Sequence, residues 1–290
     1  IVVNPDSLTE EQRDHWKLTG ADFLVAVILH VLYAEKDKSL AGVLTAMADP
    51  DRSLDGLLEA MLHTRHLGDR PHPVVASAAR AMKNRSPNER SGVVSTAESF
   101  LSLYRDPIIA ANTSVSDFTL ADLMCCERPA SLYLVVPPND MDRTKPLMRL
   151  ILNFFGRRLT EHIASVGSLT GPRQKKHRLV YLIDEFPSLG RMPFFEVQQA
   201  FLRGYGVKCM LIAQSLNQLD KAYGQNHSIL DNCHVRLTYS ANCERTAKRI
   251  SEMLGHASLM KVQISEGERK GLFGQGHVTK SYQEFGRPLK

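Results

Sequence analysis

Two adjacent carboxylates, Asp184 and Glu185, follow directly on the apolar run Leu179-Val180-Tyr181-Leu182-Ile183. A short run of β-branched and aromatic residues reads as a buried strand, so the acids stand at a strand's carboxyl end. Acids in that position suit nucleoside-triphosphate hydrolysis. The first orders the shell of a bound Mg²⁺ through water, and the second polarises the water that attacks the γ-phosphate. The same pattern also arises where a strand simply ends in solvent. One apolar run later, Val207 to Ala213, the chain reaches Gln214-Ser215, a neutral hydrogen-bonding pair expected at the same sheet edge. Gln214 is the candidate for sensing the γ-phosphate and passing its state to the following helix. Ser215 is a candidate N-cap for that helix, and both roles can hold together. Arg203 closes an amphipathic stretch just before Gly204 and Gly206. It either reaches a neighbouring subunit's nucleotide as an arginine finger or caps the helix C-terminus, and the pattern by itself favours capping.

A phosphate-cradling GxxxxGK[ST] loop does not occur, and the chain contains no Gly-Lys dipeptide. The chain by itself is therefore expected not to hydrolyse ATP. Gly271-Leu272-Phe273-Gly274-Gln275-Gly276 is glycine-rich but opens no periodic helix, and reads as a hairpin or loop. His63, His66 and His72 lack a Cys or acidic third ligand, and no metal is expected beyond Mg²⁺ at Asp184. The five cysteines have no CxxC or Cys/His spacing, which fits a reducing cytoplasm. A net charge of +5 is too small to prove a nucleic-acid partner. Basic and acidic residues balance between His15 and Val115, eleven of each, so the excess lies elsewhere. Its densest run, Arg173-Gln174-Lys175-Lys176-His177-Arg178, is either a solvated loop or a phosphate contact through Arg173, Lys175, Lys176 and Arg178.

The elements that must carry these residues fall into two textures. From Asp14 to about Val115 the pattern is helical: Phe23, Val27, Ile28 and Val31 recur at helical spacing, as do Leu54, Leu57, Leu58 and Met61. Asp49-Pro50, the segment Gly68 to Pro73 and Ser86-Pro87-Asn88 punctuate it into several helices. The apolar stretch from Phe23 to Tyr33 is too short to span a bilayer and is expected to be a buried helix. After Phe118, short apolar runs alternate with amphipathic helices. The expected order is a buried strand over Ala130 to Val136, a helix from about Lys145 to Ile163 and the strand before Asp184. An amphipathic stretch from Pro193 to Tyr205, the strand from Val207, a strand over His234 to Ser240 and a helix over Glu244 to Leu254 complete it. Such alternation predicts a parallel α/β sheet with functional groups at the carboxyl ends of its strands.

Leu182-Ile183-Asp184-Glu185-Phe186-Pro187-Ser188-Leu189-Gly190-Arg191, then Ile212-Ala213-Gln214-Ser215-Leu216-Asn217-Gln218-Leu219, Tyr223-Gly224 and Ile229-Leu230-Asp231-Asn232-Cys233 resemble the coupling proteins of conjugation and type IV secretion, the TraG-type coupling ATPases. The resemblance is tight from about Ala130 to Leu254. Phe23 to Tyr33 resembles the opening of the family's helical insertion, and Arg287-Pro288-Leu289 its end-of-motor segment. It implies a RecA-like P-loop NTPase motor domain, a parallel sheet flanked by helices, with an inserted all-α domain. Residues 1–14 would belong to the motor or a linker, 15–115 to the insertion, and 116–290 to the C-terminal part of the motor. The chain, which starts on Ile1, is then expected to be a motor portion clipped at both ends, with the Walker A residues and a transmembrane segment upstream.

By the same resemblance Asp184 and Glu185 match the Walker B acids, Gln214 the sensor and Arg203 a trans-acting finger. ATP and Mg²⁺ are the implied cofactors. A homo-hexameric ring on the bacterial inner membrane, with this chain on the cytoplasmic side, is the implied assembly. The implied partners are a relaxase or relaxosome, single- or double-stranded DNA or protein effectors, the secretion-channel ATPases and inner-membrane channel components. The balanced charge of the helical stretch points it towards protein more than phosphate. Two readings compete with a coupling motor. The chain could be a docking adaptor whose α/β part is a scaffold, or another RecA-like translocase or helicase, a group that the large helical insertion argues against.

Overall fold

The computed structural model describes residues 15–167, 170–239, 243–265 and 279–288, the strands 256–265 and 279–288 by backbone and register. Residues 1–14, the glycine-rich run 271–276, Ser240 and Leu289 lie outside the described residues. The chain forms two compact units, one of residues 1–183 with 188–211 and one of 184–187 with 212–290.

The first unit opens with helices α1 (His15–Ala34), α2 (Leu40–Met47), α3 (Leu54–His63), α4 (Pro73–Lys83), α5 (Pro87–Phe100) and α6 (Pro107–Ser114). Their starts are written in the sequence. Ser39, Ser53 and Asp106 accept from backbone N–H groups of the first turn, and Ser86 with Glu89 forms a capping box before α5. Pro73, Pro87 and Pro107 occupy first-turn positions that need no N–H. The periodic residues named above converge: Phe23, Val27 and Val31 of α1 are buried with Leu57, Leu58 and Met61 of α3 in one apolar cluster running from Phe23 to Ile109. By length and composition α1 could cross a bilayer. It packs as a core helix instead, with α2, α4 and α5 against it.

The same unit continues through α7 (Asp122–Cys125), α8 (Met141–Leu159), the short antiparallel pair β1 (Ser165–Val166) and β2 (Arg173–Gln174), β3 (Leu179–Ile183), α9 (Pro193–Leu202) and β4 (Val207–Leu211). Strands β3 and β4 run parallel, with Leu179 opposite Val207 and Ile183 opposite Leu211. Alternation decides their faces: Tyr181 and Ile183 are buried, while Val180 and Leu182 are exposed. Tyr181 meets Phe195 of α9 edge to face at 5.6 Å, which is how that helix covers one side of the pair. Gly156 of α8 lets the Phe194 ring approach to where a Cβ would stand, 2.2 Å from its Cε1 and Cζ.

Two expected strands are absent. Ala130–Val136 joins no ladder among the described residues, and Tyr133 and Val135 are more than 80% exposed. His234 to Tyr239 likewise forms no strand, with Val235, Leu237 and Tyr239 exposed. An apolar run becomes a sheet strand only where a neighbouring edge takes its N–H and C=O groups, and neither run finds one among the described residues. The second unit contains α10 (Leu216–Tyr223), α11 (Glu244–Leu254) and a ten-residue antiparallel pair, β5 (His256–Ser265) with β6 (Thr279–Pro288), strands to which the sequence pattern assigns no span.

Candidate active site

The acids, the candidate sensor and the helix behind it belong to the second unit. Glu185 Oε2 accepts a 2.8 Å hydrogen bond from Gln214 Nε2. Its other oxygen, Oε1, is buried without a hydrogen-bond partner. The backbone of Glu185 is at φ 55°, a left-handed conformation that costs a non-glycine residue about 1–2 kcal/mol. That kink turns the chain out of the strand direction immediately after Asp184, so the two acids do not simply alternate across a strand. Phe186 N–H then donates to Ile212 O at 2.8 Å, which fixes the acid-bearing turn to the segment carrying Gln214. Asp184 itself is exposed.

Behind the acids, Phe186 is fully buried and stacks on Tyr223 of α10, 5.5 Å between centroids and 18° between planes. The start of α10 is held by Gln218, whose side-chain oxygen accepts from the backbone N–H groups of Gln214 and Ser215 at 3.1 and 3.3 Å. Ser215 is the N-cap, as read from the sequence, and Gln218 supplies the second half of a capping box. Farther along, buried Asp220 meets Arg245 of α11 at 2.9 Å and lies 3.5 Å from His227 Nε2, while Leu216 N–H donates to Thr246 Oγ1 at 3.3 Å. Gln214 is thereby linked to both α10 and α11. Gln218, Tyr223 and Asp220, which support the candidate site, are not singled out by the sequence pattern. The Ser215-x-x-Gln218 spacing was a usable signal for the first; the other two depend on contacts that no local pattern encodes.

Arg203 belongs to the other unit. It follows α9 in a 3₁₀ turn, Arg203–Tyr205, and its side chain is exposed. Gly206, at φ 77°, ends that turn in the left-handed form typical of a helix terminus. The basic run is largely engaged with protein. Arg173 is paired to Asp122 at 2.6 Å, Lys176 to Glu127, and Lys175 donates to three backbone carbonyls. The hydrogen bond from the Thr119 backbone N–H, first, and that from Arg173, second, hold the Asp122 carboxyl well below its ordinary pKa. Arg178 alone of the four candidate phosphate contacts is exposed with no such partner among the described residues.

Known proteins match along the whole chain. Residues 3–289 match the family model described as type IV secretory system conjugative DNA transfer. The conjugal transfer protein TraG of Escherichia coli is 40% identical over 296 residues, covering 100% of this chain and 46% of TraG. VirD4 of Agrobacterium fabrum is 32% identical over 159 residues, 53% of this chain and 22% of VirD4. The solved plasmid coupling protein TrwB in complex with ADP and Mg²⁺ superposes with a TM-score of 0.60 at 18% identity, covering 89% of this chain and 56% of that one. The chain therefore shares the fold of TrwB, and it spans about half the length of the curated relatives it matches. On the family match, the chain is a member of the type IV secretory system conjugative DNA-transfer family.

Proposed function

We propose that the whole protein is the coupling ATPase of a conjugative or type IV secretion system, and that this chain contributes its Walker B acids and sensor. The observation that carries the reading is Glu185: a strained backbone, one carboxylate oxygen on Gln214 and the other buried and bare. A bare, buried acceptor is what an attacking water requires, and a buried carboxylate without a second partner is otherwise costly. Gln214 holds Glu185 in register and links it to α10. The donor set fits hydrated Mg²⁺ and nucleotide, with exposed Asp184 meeting the metal's water shell and Gln214 facing the γ-phosphate. Bound Mg²⁺ would neutralise charge on the phosphates. No Gly-Lys phosphate cradle is among these residues, so this chain alone is proposed to be inactive as an ATPase.

In this reading residues 116–290 are motor, 1–14 belong to the motor or link it to the insertion, and 15–115 recognise the relaxase–DNA complex or protein effectors. Arg203 reaches the nucleotide of the next subunit in a hexameric ring. The assembly stands on the inner membrane beside the secretion-channel ATPases and channel components, with this chain on the cytoplasmic side, and hydrolysis drives DNA transfer. Steady-state ATPase of the full-length protein, with single- and double-stranded DNA added, tests it. DNA-stimulated turnover should fall at least about 10²-fold in Glu185→Gln; a mutant with wild-type turnover would sink the reading. The buried residues of the helical stretch form one cluster from Phe23 to Ile109, which supports an adaptor as the second reading. Partner binding by the full-length protein with no turnover under any condition would favour that one.

A further inference from the structure

Lys175 was a candidate phosphate contact, but its surroundings give it another task. Its Nζ donates to Leu159 O at 2.8 Å, His162 O at 2.9 Å and Tyr205 O at 2.9 Å. An ammonium has three protons, and all three are committed. Nζ also lies 5.7 Å from the centre of the Tyr205 ring. Leu159 and His162 mark the end of α8, and Tyr205 closes the turn that begins with Arg203. That turn is held at its far end as well: Gly206 N–H donates to Arg203 O at 3.2 Å, and Gly206 O accepts from Leu179 N–H at 3.0 Å as β3 begins. Leu202, just before Arg203, is buried. The backbone on both sides of Arg203 is therefore fixed, while its side chain is exposed.

We propose that Lys175 is a positioning residue for Arg203, clamping the Tyr205 carbonyl to the end of α8 so that the guanidinium is presented from a rigid turn. The inference rests on the reading of Arg203 as the trans-acting finger. A long, flexible side chain gains catalytic effect only from a fixed base, because a displacement of about 1 Å can cost about 10²-fold in rate. Lys175 serves better here than an arginine would, since a compact point donor reaches three carbonyls converging from different directions.

Two measurements test this. Hydrogen exchange on this chain reads the turn: the Gly206 amide should exchange about 10-fold faster in Lys175→Met and be unchanged in Arg203→Ala. Unchanged exchange in Lys175→Met would overturn the clamp. ATPase kinetics of the full-length protein with DNA read the consequence. Arg203→Ala should lower kcat about 10³-fold, Lys175→Met about 10²-fold with KM for ATP nearly unaltered, and the double variant should be no slower than Arg203→Ala. Multiplicative losses in the double variant, or wild-type kcat in Lys175→Met, would overturn the positioning role. Wild-type kcat in Arg203→Ala would instead overturn the finger itself. Should Lys175→Met unfold at the assay temperature, Lys175→Gln, which keeps donors for part of the cage, takes its place in the same cycle with the same outcomes.

Discussion

Glu185 combines a left-handed backbone with a carboxylate that is half used and half bare. Residues kept in such conformations persist only where neighbours over-determine them, and here the Phe186 stack and the Phe186 N–H bond to Ile212 do so. Relief of that strain is measurable. Glu185→Gly should raise stability by about 1 kcal/mol, seen as a higher Tm of this chain, while removing the carboxylate abolishes turnover in the full-length protein. Glu185→Ala, which removes the same carboxylate but keeps the Cβ, should lie about 1 kcal/mol below Glu185→Gly. A Tm that rises equally in both would show the backbone at this position to be unstrained.

At the scale of elements, two contacts make predictions. Glycine within a helix ordinarily destabilises by about 0.5–1 kcal/mol relative to alanine, so Gly→Ala there should help. Gly156→Ala should do the reverse, because the new methyl meets the buried Phe194 ring at 2.2 Å and α8 must move off α9. A lower denaturation midpoint with unchanged m-value is the expected result.

The second contact joins α1 to the segment before α4. His72 N–H donates to His66 Nδ1 at 3.2 Å, which places the His66 proton on Nε2. That proton faces His30 Nδ1 at 2.9 Å, and His30 turns its own Nε2–H towards Glu35, 3.8 Å away. Tyr33 and His72 pack beside the pair, and Arg52 bonds Glu35 at 2.8 Å. Burial first, and His66 second, lower the His30 pKa to about 4, against a smaller opposing pull from Glu35. The folded state thus resists protonation that the unfolded chain accepts near 6.5. Stability is fully present above that value and should fall by about 3 kcal/mol as pH drops through about 4. Thermal unfolding between pH 7 and pH 4 checks it; in His30→Gln, which keeps an acceptor for His66, the decline should be shallower.

At the scale of the whole molecule, most of the densest basic run is engaged with protein. Arg173 and Lys176 are paired to Asp122 and Glu127, and Lys175 lies within backbone carbonyls. Arg178 is the one of the four that is exposed with no protein partner among the described residues. In the full-length protein, Arg178→Ala should weaken DNA binding uniformly across sequences and reduce the slope of log K against log salt by about 1, with no change in Tm. Lys176→Ala should leave that slope nearly as it was. Equal slopes for wild type and Arg178→Ala would remove this loop from the DNA path.

The residues themselves determined the helical and strand spans that have strong local signals. The Ser-Pro and Ser-x-x caps set the helix starts, the run Leu179–Ile183 set β3, and the order Asp184, Glu185, Gln214 set the chemistry to look for. These are legible because propensity, capping and spacing are local. Tertiary structure alone decided that Ala130–Val136 pairs with no strand among the described residues, that Glu185 reaches Gln214, that His30 finds His66, and that Lys175 clamps a turn thirty residues away. Each of those depends on which groups meet across long separations, where a carbonyl, a second ring or an absent strand edge takes up the bond that the local sequence leaves open.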